Sequence, residues 1–330
     1  MDSITQIALG GAVGALVGGK KYGRKSVLIG AICGTIPDLD TFLLQDGDPI
    51  TQLTEHRGLS HSLLFAVLAT PVFAWCFSKI KKLGMAFKDR ELHLLIFLTF
   101  LTHILLDSVT IYGTQLLWPL DTPPVGLGSI FIIDPLYSIP FLLGLAWFLA
   151  YKTLKSIKIV LIITTLYLAW GIAAQKYTYG LFEKSYDAPH TQVLVQATPF
   201  NSFLWRVLVM KENGYEVGYY SVFDKNKTIK FKNFNSKPSL LKDIEDSQYV
   251  QRLKWFTKGF YKVKLSDNDV IMIDLRMGYE PHDYFFGFVI GKKDGNQIKP
   301  IDESKRHSRS RSLSKFADIW ARIWDERVEL

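Results

Sequence analysis

Four short polar groups interrupt an otherwise apolar N-terminal half: Pro37-Asp38-Leu39-Asp40, His56-Arg57-Gly58-Leu59-Ser60-His61-Ser62, Thr102-His103 with Asp107, and Asp134. Carboxylates and imidazoles together are ligand types for Zn²⁺ and Mn²⁺, whereas Ca²⁺ takes nearly all its ligands from oxygen. His103 and Asp107 are four residues apart, so on a helix they share one face. A catalytic zinc takes about three protein ligands and keeps a position for water, whose pKa falls to roughly 7. Asp38, Asp40, His56, His61, His103 and Asp107 are the candidate metal ligands. They suffice for two ions, or for one ion with carboxylates behind its ligands. Arg57 is suited to stabilise a developing anionic oxygen. Asp134 is the candidate acid or base, or a support for a ligand. Asp2 is a further acidic neighbour.

Each motif also has a plainer reading. Pro-Asp-x-Asp after an apolar run is a common helix stop with solvated carboxylates. Two loop histidines need no common partner, a His–Asp hydrogen bond satisfies a buried pair, and Asp134-Pro135 is a ready N-cap. Against this, ionisable residues inside an apolar segment are costly and point to function first. Convergence of all four groups on one face is what separates the two readings. His93 is expected at an interface, and His190, His282 and His307 at the surface or in structural roles.

The elements that must position these residues are membrane helices. Residues 62–78 and 159–174 carry no charge; 130–149 are apolar except for Asp134, and 92–110 except for His93, His103 and Asp107. Each is close to the roughly 17–25 residues that cross a hydrocarbon core. Residues 3–19 are uncharged and hold Gly10, Gly11, Gly14, Gly18 and Gly19, which suits close helix packing in lipid. Residues 26–37 are apolar but short and stop at Pro37. Asp2 stands where a signal peptide would be basic, so the first segment is expected to be retained.

Basic residues orient the segments. Lys20, Lys21, Arg24 and Lys25 follow the first, Lys79 to Arg90 the third, and Lys152, Lys155 and Lys158 the fifth. Between them, 38–61 has only Arg57 and 111–129 has no Lys or Arg. Six crossings with basic loops inside put both termini outside, on the periplasmic face of a bacterial inner membrane. All four polar groups then fall on the outer side.

The 330 residues carry a net charge of +8 with 14% aromatics and a mean hydropathy of +0.12. The basic residues cluster beside apolar segments without an aromatic-interleaved stripe, so no nucleic-acid partner is expected. Cys33 and Cys76 lie in apolar segments, with no Cys-x-x-Cys, and are expected to be small buried hydrophobes. From about residue 181 the chain turns polar. Asn213-Gly214 and Asp224-Lys225-Asn226 separate Phe203–Val209, Tyr215–Phe223 and Thr228–Phe231; Val270–Leu275 and Tyr284–Ile290 are further strand-like runs. An antiparallel sheet is expected there, then a Ser/Arg/Lys-rich tail at 304–314 and a short amphipathic helix at 316–324. The fold class is therefore mainly α. A multi-pass helical membrane domain of about six segments (1–175) precedes a smaller, soluble, β-rich periplasmic domain (181–330).

The stretches MDSITQIALGGAVG, GAICGTIPDLD, HRGLSHSLL, THILLDSVTIYGTQLLWP and IFIIDPLYSIP, in that order across residues 1–140, resemble the YdjM-like family of membrane-bound metal-dependent hydrolases. The resemblance implies metal-binding roles for Asp38, Asp40, His56, His61, His103 and Asp107. The family is also distantly similar to zinc-dependent phospholipase C and single-strand-specific nucleases, which implies phosphoester hydrolysis. Some relatives have Thr-His near the N-terminus, where this chain reads Thr5-Gln6. The expected activity is hydrolysis of a phosphoester or lipid headgroup in the bilayer by a divalent metal, zinc or alternatively manganese. A non-catalytic metal-stabilised scaffold is one alternative. An ion-coupled transporter using His103, Asp107 and Asp134 is the other, with no internal repeat to favour it.

Overall fold

Asp2 opens the first helix, α1 (Ser3–Tyr22), by accepting a hydrogen bond from the Thr5 amide at 3.0 Å. Ser62 caps α5 (Leu63–Lys79) in the same way, through Phe65 N at 3.0 Å. These short polar side chains satisfy amides that a helix start leaves without partners. Between them lie α2 (Arg24–Thr35), α3 (Asp40–Leu43) and α4 (Pro49–Glu55), with single 3₁₀ turns at Pro37–Leu39 and Leu59–His61. Next come α6 (Arg90–Ser108), α7 (Pro135–Tyr151) and α8 (Leu154–Ser185). The computed structural model describes residues 1–280, 283–307 and 314–330. His282 and residues 308–313 of the Ser/Arg/Lys-rich tail lie outside the described residues.

Two compact units emerge, Met1–Leu43 with Glu55–Gly171, and Leu44–Thr54 with Ile172–Leu330. In the first, α1 packs along α2 and also meets α6 and α7. The α1–α2 contact runs through glycine. A Cβ on Gly30 would lie 2.1 Å from the Gly10 carbonyl oxygen, and one on Gly34 2.5 Å from the Gln6 oxygen. No side chain fits there, so the two backbones meet directly, as small residues allow in lipid. One apolar core joins Ala8, Ala12, Phe141 and Phe148, and another joins Ile29, Cys33, Leu92, Phe100 and Ile104.

Large apolar side chains also cover the outside: Leu68 and Val72 on α5, Leu143 and Trp147 on α7, and Ile162 and Leu166 on α8 are each more than half exposed. Surface of this kind is unfavourable in water and fits hydrocarbon. Cys33 is buried, whereas Cys76 is exposed on α5, which corrects the expectation that both are buried.

Among the described residues, three helices are long and apolar enough to cross a membrane: Arg24–Leu43, Arg90–Ser108 and Leu154–Ser185. A fourth span is added if the bent pair Pro49–His61 and Leu63–Lys79 counts as one. Six crossings were expected. All six apolar segments form helices, but α7 has 17 residues, and the last turn of α1 carries Lys20 and Lys21. α8 continues to Ser185, well past the apolar run.

In the second unit, β1 (Gln192–Ala197), β2 (Leu204–Lys211), β3 (Gly214–Ser221) and β4 (Phe231–Asn235) form one antiparallel sheet in sequence order. The turn at Asn213-Gly214 joins β2 to β3 with Lys211 opposite Gly214. After α9 (Gln248–Thr257), β5 (Tyr261–Ser266), β6 (Asp269–Asp274), the short pair β7 (Gly278–Tyr279) and β8 (Asp283–Tyr284), β9 (Gly287–Asp294) and β10 (Gln297–Arg306) follow. The second large sheet has the order β10-β9-β6-β5, also antiparallel. The C-terminal helix α10 (Ser314–Trp324) buries Ile319 and Ile323 against Leu204. The segment before α4 is fixed within this unit, where Ser304 N bonds Asp48 Oδ1 at 3.2 Å. The antiparallel expectation holds, while β1, β5, β10 and α9 lie outside the runs picked out by composition.

Candidate metal centre

Asp38 sits in the turn that ends α2, His61 in the turn that leads into α5, and His103 and Asp107 one helical turn apart on α6. One ligand atom from each lies within 4.8 Å of all the others. His61 Nε2 is 3.2 Å from Asp38 Oδ1 and 3.3 Å from Asp107 Oδ2. His103 Nε2 is 3.2 Å from His61 Nε2, 3.6 Å from Asp107 Oδ2 and 3.7 Å from Asp38 Oδ1. His61, His103 and Asp107 are buried, and the Asp38 side chain keeps 21% of its surface exposed.

The hydrogen bonds around this group assign its protons. His103 Nδ1 lies 2.8 Å from the Gly34 carbonyl oxygen, which only accepts. Nδ1 therefore carries the proton, and Nε2 of the neutral ring is a bare lone pair. Ser60 Oγ donates to Asp40 Oδ2 at 2.9 Å and so has no proton left for His61 Nδ1, also at 2.9 Å. His61 Nδ1 must donate to it, which in the neutral ring leaves Nε2 as a lone pair as well. Two imidazole lone pairs thus face each other and two carboxylate oxygens, and Asp107 Oδ2 has no hydrogen-bond partner. Buried acceptors without donors are rare. Two nitrogens and two oxygens at this spacing fit a divalent cation of the Zn²⁺ or Mn²⁺ type.

Of the six expected ligands, Asp40 and His56 stand outside this group. Asp40 Oδ1 pairs with His56 Nδ1 at 2.8 Å, and its Oδ2 accepts from the Arg57 amide at 3.1 Å as well as from Ser60. The cause is local geometry: Asp38 lies in a 3₁₀ turn while Asp40 begins α3, so the two carboxylates are directed differently. Asp40 instead holds Ser60, and through it the His61 tautomer, a role typical of carboxylates behind metal-binding histidines.

Arg57 is buried, and its Nε lies 3.2 Å from Asp107 Oδ2. Its Nη1 is 3.3 Å from Thr110 Oγ1, and its guanidinium lies over the Tyr112 ring at 4.8 Å. Its backbone is left-handed, with φ 65°. Such a conformation is costly for a non-glycine residue and is kept only where the surroundings enforce it.

Asp134 caps α7, accepting from Leu136 N at 3.0 Å and Tyr167 Oη at 2.8 Å. This is the plainer of its two expected roles, and among the described residues it has no polar contact with the four donors. Asp2 is likewise occupied by its cap. Gln6, noted in the sequence as a departure from relatives, is at the site: its Nε2 donates to Asp107 Oδ1 at 3.0 Å. The Met1 amino group also meets that oxygen. The Gly34 carbonyl and Tyr112 complete the surroundings, and neither has a sequence signal that would single it out.

A family model described as the YdjM inner membrane protein matches residues 1–178. The uncharacterized protein YfhP of Bacillus subtilis (strain 168) is 25% identical over 232 residues, 66% of this chain and 68% of that protein. No solved structure matches the chain. The matched region contains α1 to α7 and every residue of the Asp38–His61–His103–Asp107 group. The chain therefore belongs to the YdjM inner membrane protein family.

Proposed function

We propose that the protein is a membrane-embedded, metal-dependent hydrolase acting on a phosphoester or lipid headgroup at the outer face of the inner membrane. The observation that carries this reading is the convergence of Asp38, His61, His103 and Asp107, with both histidines held in the tautomer that turns a lone pair inward. A divalent ion held by these residues supplies Lewis acidity, lowering the pKa of a water and polarising a phosphoryl or carbonyl oxygen. The chain's own residues do the rest. The Asp40–Ser60–His61 relay fixes one ligand and Gly34 the other. Arg57, packed on Tyr112, presents a guanidinium that stabilises negative charge growing on the substrate. Partial exposure of Asp38 favours substrate entry on its side of the group.

The topology that goes with this reading has six crossings, basic loops inside and both termini periplasmic, with the β-rich part positioning a substrate or partner. A non-catalytic scaffold is the second reading. It is favoured by the near-complete burial of three of the four donors, since structural sites are closed.

Full-length protein purified gently into nanodiscs is expected to carry about one divalent ion per chain, read by elemental analysis, and to cleave a member of a phosphodiester and phospholipid panel. His61→Ala and Asp107→Asn should remove both properties. Folded protein without metal would sink the proposal. Metal without turnover across the panel would select the scaffold.

A further inference from the structure

Gln6 is fully buried on α1, level with the centre because Gly34 allows α2 to come against its backbone. Its Nε2 faces two acceptors, Asp107 Oδ1 at 3.0 Å and the His103 carbonyl at 3.4 Å. The amide cannot be reversed, since that would set its oxygen against a carboxylate and a carbonyl. Oε1 is therefore turned away from both, buried and without a hydrogen-bond partner. Asp107 Oδ2 likewise makes no hydrogen bond, with the Arg57 Nε 3.2 Å away. Gln6 and the candidate ligand Asp107, joined by a hydrogen bond, thus each carry a buried oxygen without one, an arrangement that suits a cation better than a single misplaced donor.

We propose that Gln6 Oε1 is a fifth protein donor to the ion held by Asp38, His61, His103 and Asp107, and that it biases the site toward Mn²⁺ over Zn²⁺. The inference rests on the metal reading of the same site. Two nitrogens and two carboxylates already fill a tetrahedral zinc shell. A further carbonyl-type oxygen is surplus for zinc but suits a harder ion with more ligands. Because the amide is neutral, it adds a ligand without unbalancing two carboxylates against a 2+ ion.

The test uses metal-stripped, full-length protein in nanodiscs, titrated separately with Mn²⁺, read by its EPR signal, and with Zn²⁺, read by competition with a chromophoric chelator. Gln6→Leu should weaken Mn²⁺ binding about 10–100-fold, the usual range for losing a supporting group at a metal site, and Zn²⁺ binding several times less. Gln6→His should reverse the preference. Gln6→Glu, which keeps the oxygen, should bind Mn²⁺ at least as tightly as wild type. It is the variant to read if Gln6→Leu does not fold, and a tenfold loss there overturns the inference. Wild type that binds metal, with Gln6→Leu unchanged or losing both ions equally, also overturns it while leaving the site intact. Wild type that binds neither ion removes the metal reading together with the inference.

Discussion

In the β-rich unit the buried carboxylates are met by guanidinium groups: Glu280 by Arg206 at 2.5 Å, Asp274 by Arg276 at 2.7 Å and Asp224 by Arg322 at 2.7 Å. In the helical unit Asp38 turns to two imidazoles, and Asp107 directs one oxygen to the same imidazoles and to Arg57 while the other meets the Met1 amino group. In the first arrangement each negative charge has its positive partner built in. The second brings two imidazoles and two carboxylates to one point. Charge-matched pairs serve the fold, whereas the Asp–His group has the donor set of a cation site.

The contrast is open to direct test. Arg206→Ala should cost about 3–5 kcal/mol, the usual loss when a buried charge is left alone. The loss should appear in denaturant unfolding of the β-rich unit, with bound metal unchanged. Asp107→Asn should do the reverse, abolishing metal binding while the β-sheet circular dichroism and its melt stay as in wild type. If either variant damages both properties, the two networks are not independent.

A smaller effect is expected at the helix contact that sets the depth of the site. A methyl group at Gly30 cannot fit 2.1 Å from a carbonyl oxygen. Gly30→Ala should therefore destabilise by about 1–3 kcal/mol and also lower metal affinity, because α2 carries Asp38 and the Gly34 carbonyl. Unchanged affinity at reduced stability would show that the centre tolerates movement of α2.

The smallest effect concerns Lys258, after α9. Burial, aided by the nearby Arg276 guanidinium, pushes its ammonium down to about 8. Between pH 8 and the ordinary lysine value the unfolded chain binds the extra proton, so stability should rise with pH through that window. Lys258→Gln should abolish that rise and stabilise the protein by about 1 kcal/mol at pH 7, after discounting for partial exposure. Melts at pH 7 and pH 10 check both signs.

Much of the helical unit was legible because burial in lipid demands long uncharged runs, and every such run became a helix. Asp38, His61, His103 and Asp107 were legible as candidates because ionisable groups stand out in those runs. The β-rich unit was less so. Strands such as β5 and β10 mix Lys, Asp and Ser with apolar residues and give little signal. The equal standing of Asp38 with Asp40, and of His61 with His56, could not be resolved along the chain. A two-residue or five-residue spacing says nothing about direction once a 3₁₀ turn intervenes.

By itself, then, the sequence determined that this is a membrane chain with Asp and His in its apolar segments, since composition and hydropathy are properties of each residue. Only the tertiary structure decided which four side chains share one point, which histidine nitrogen carries its proton, and that Gln6 belongs beside them. Those depend on contacts between residues up to about a hundred positions apart, made close by two glycine-lined helices whose backbones touch.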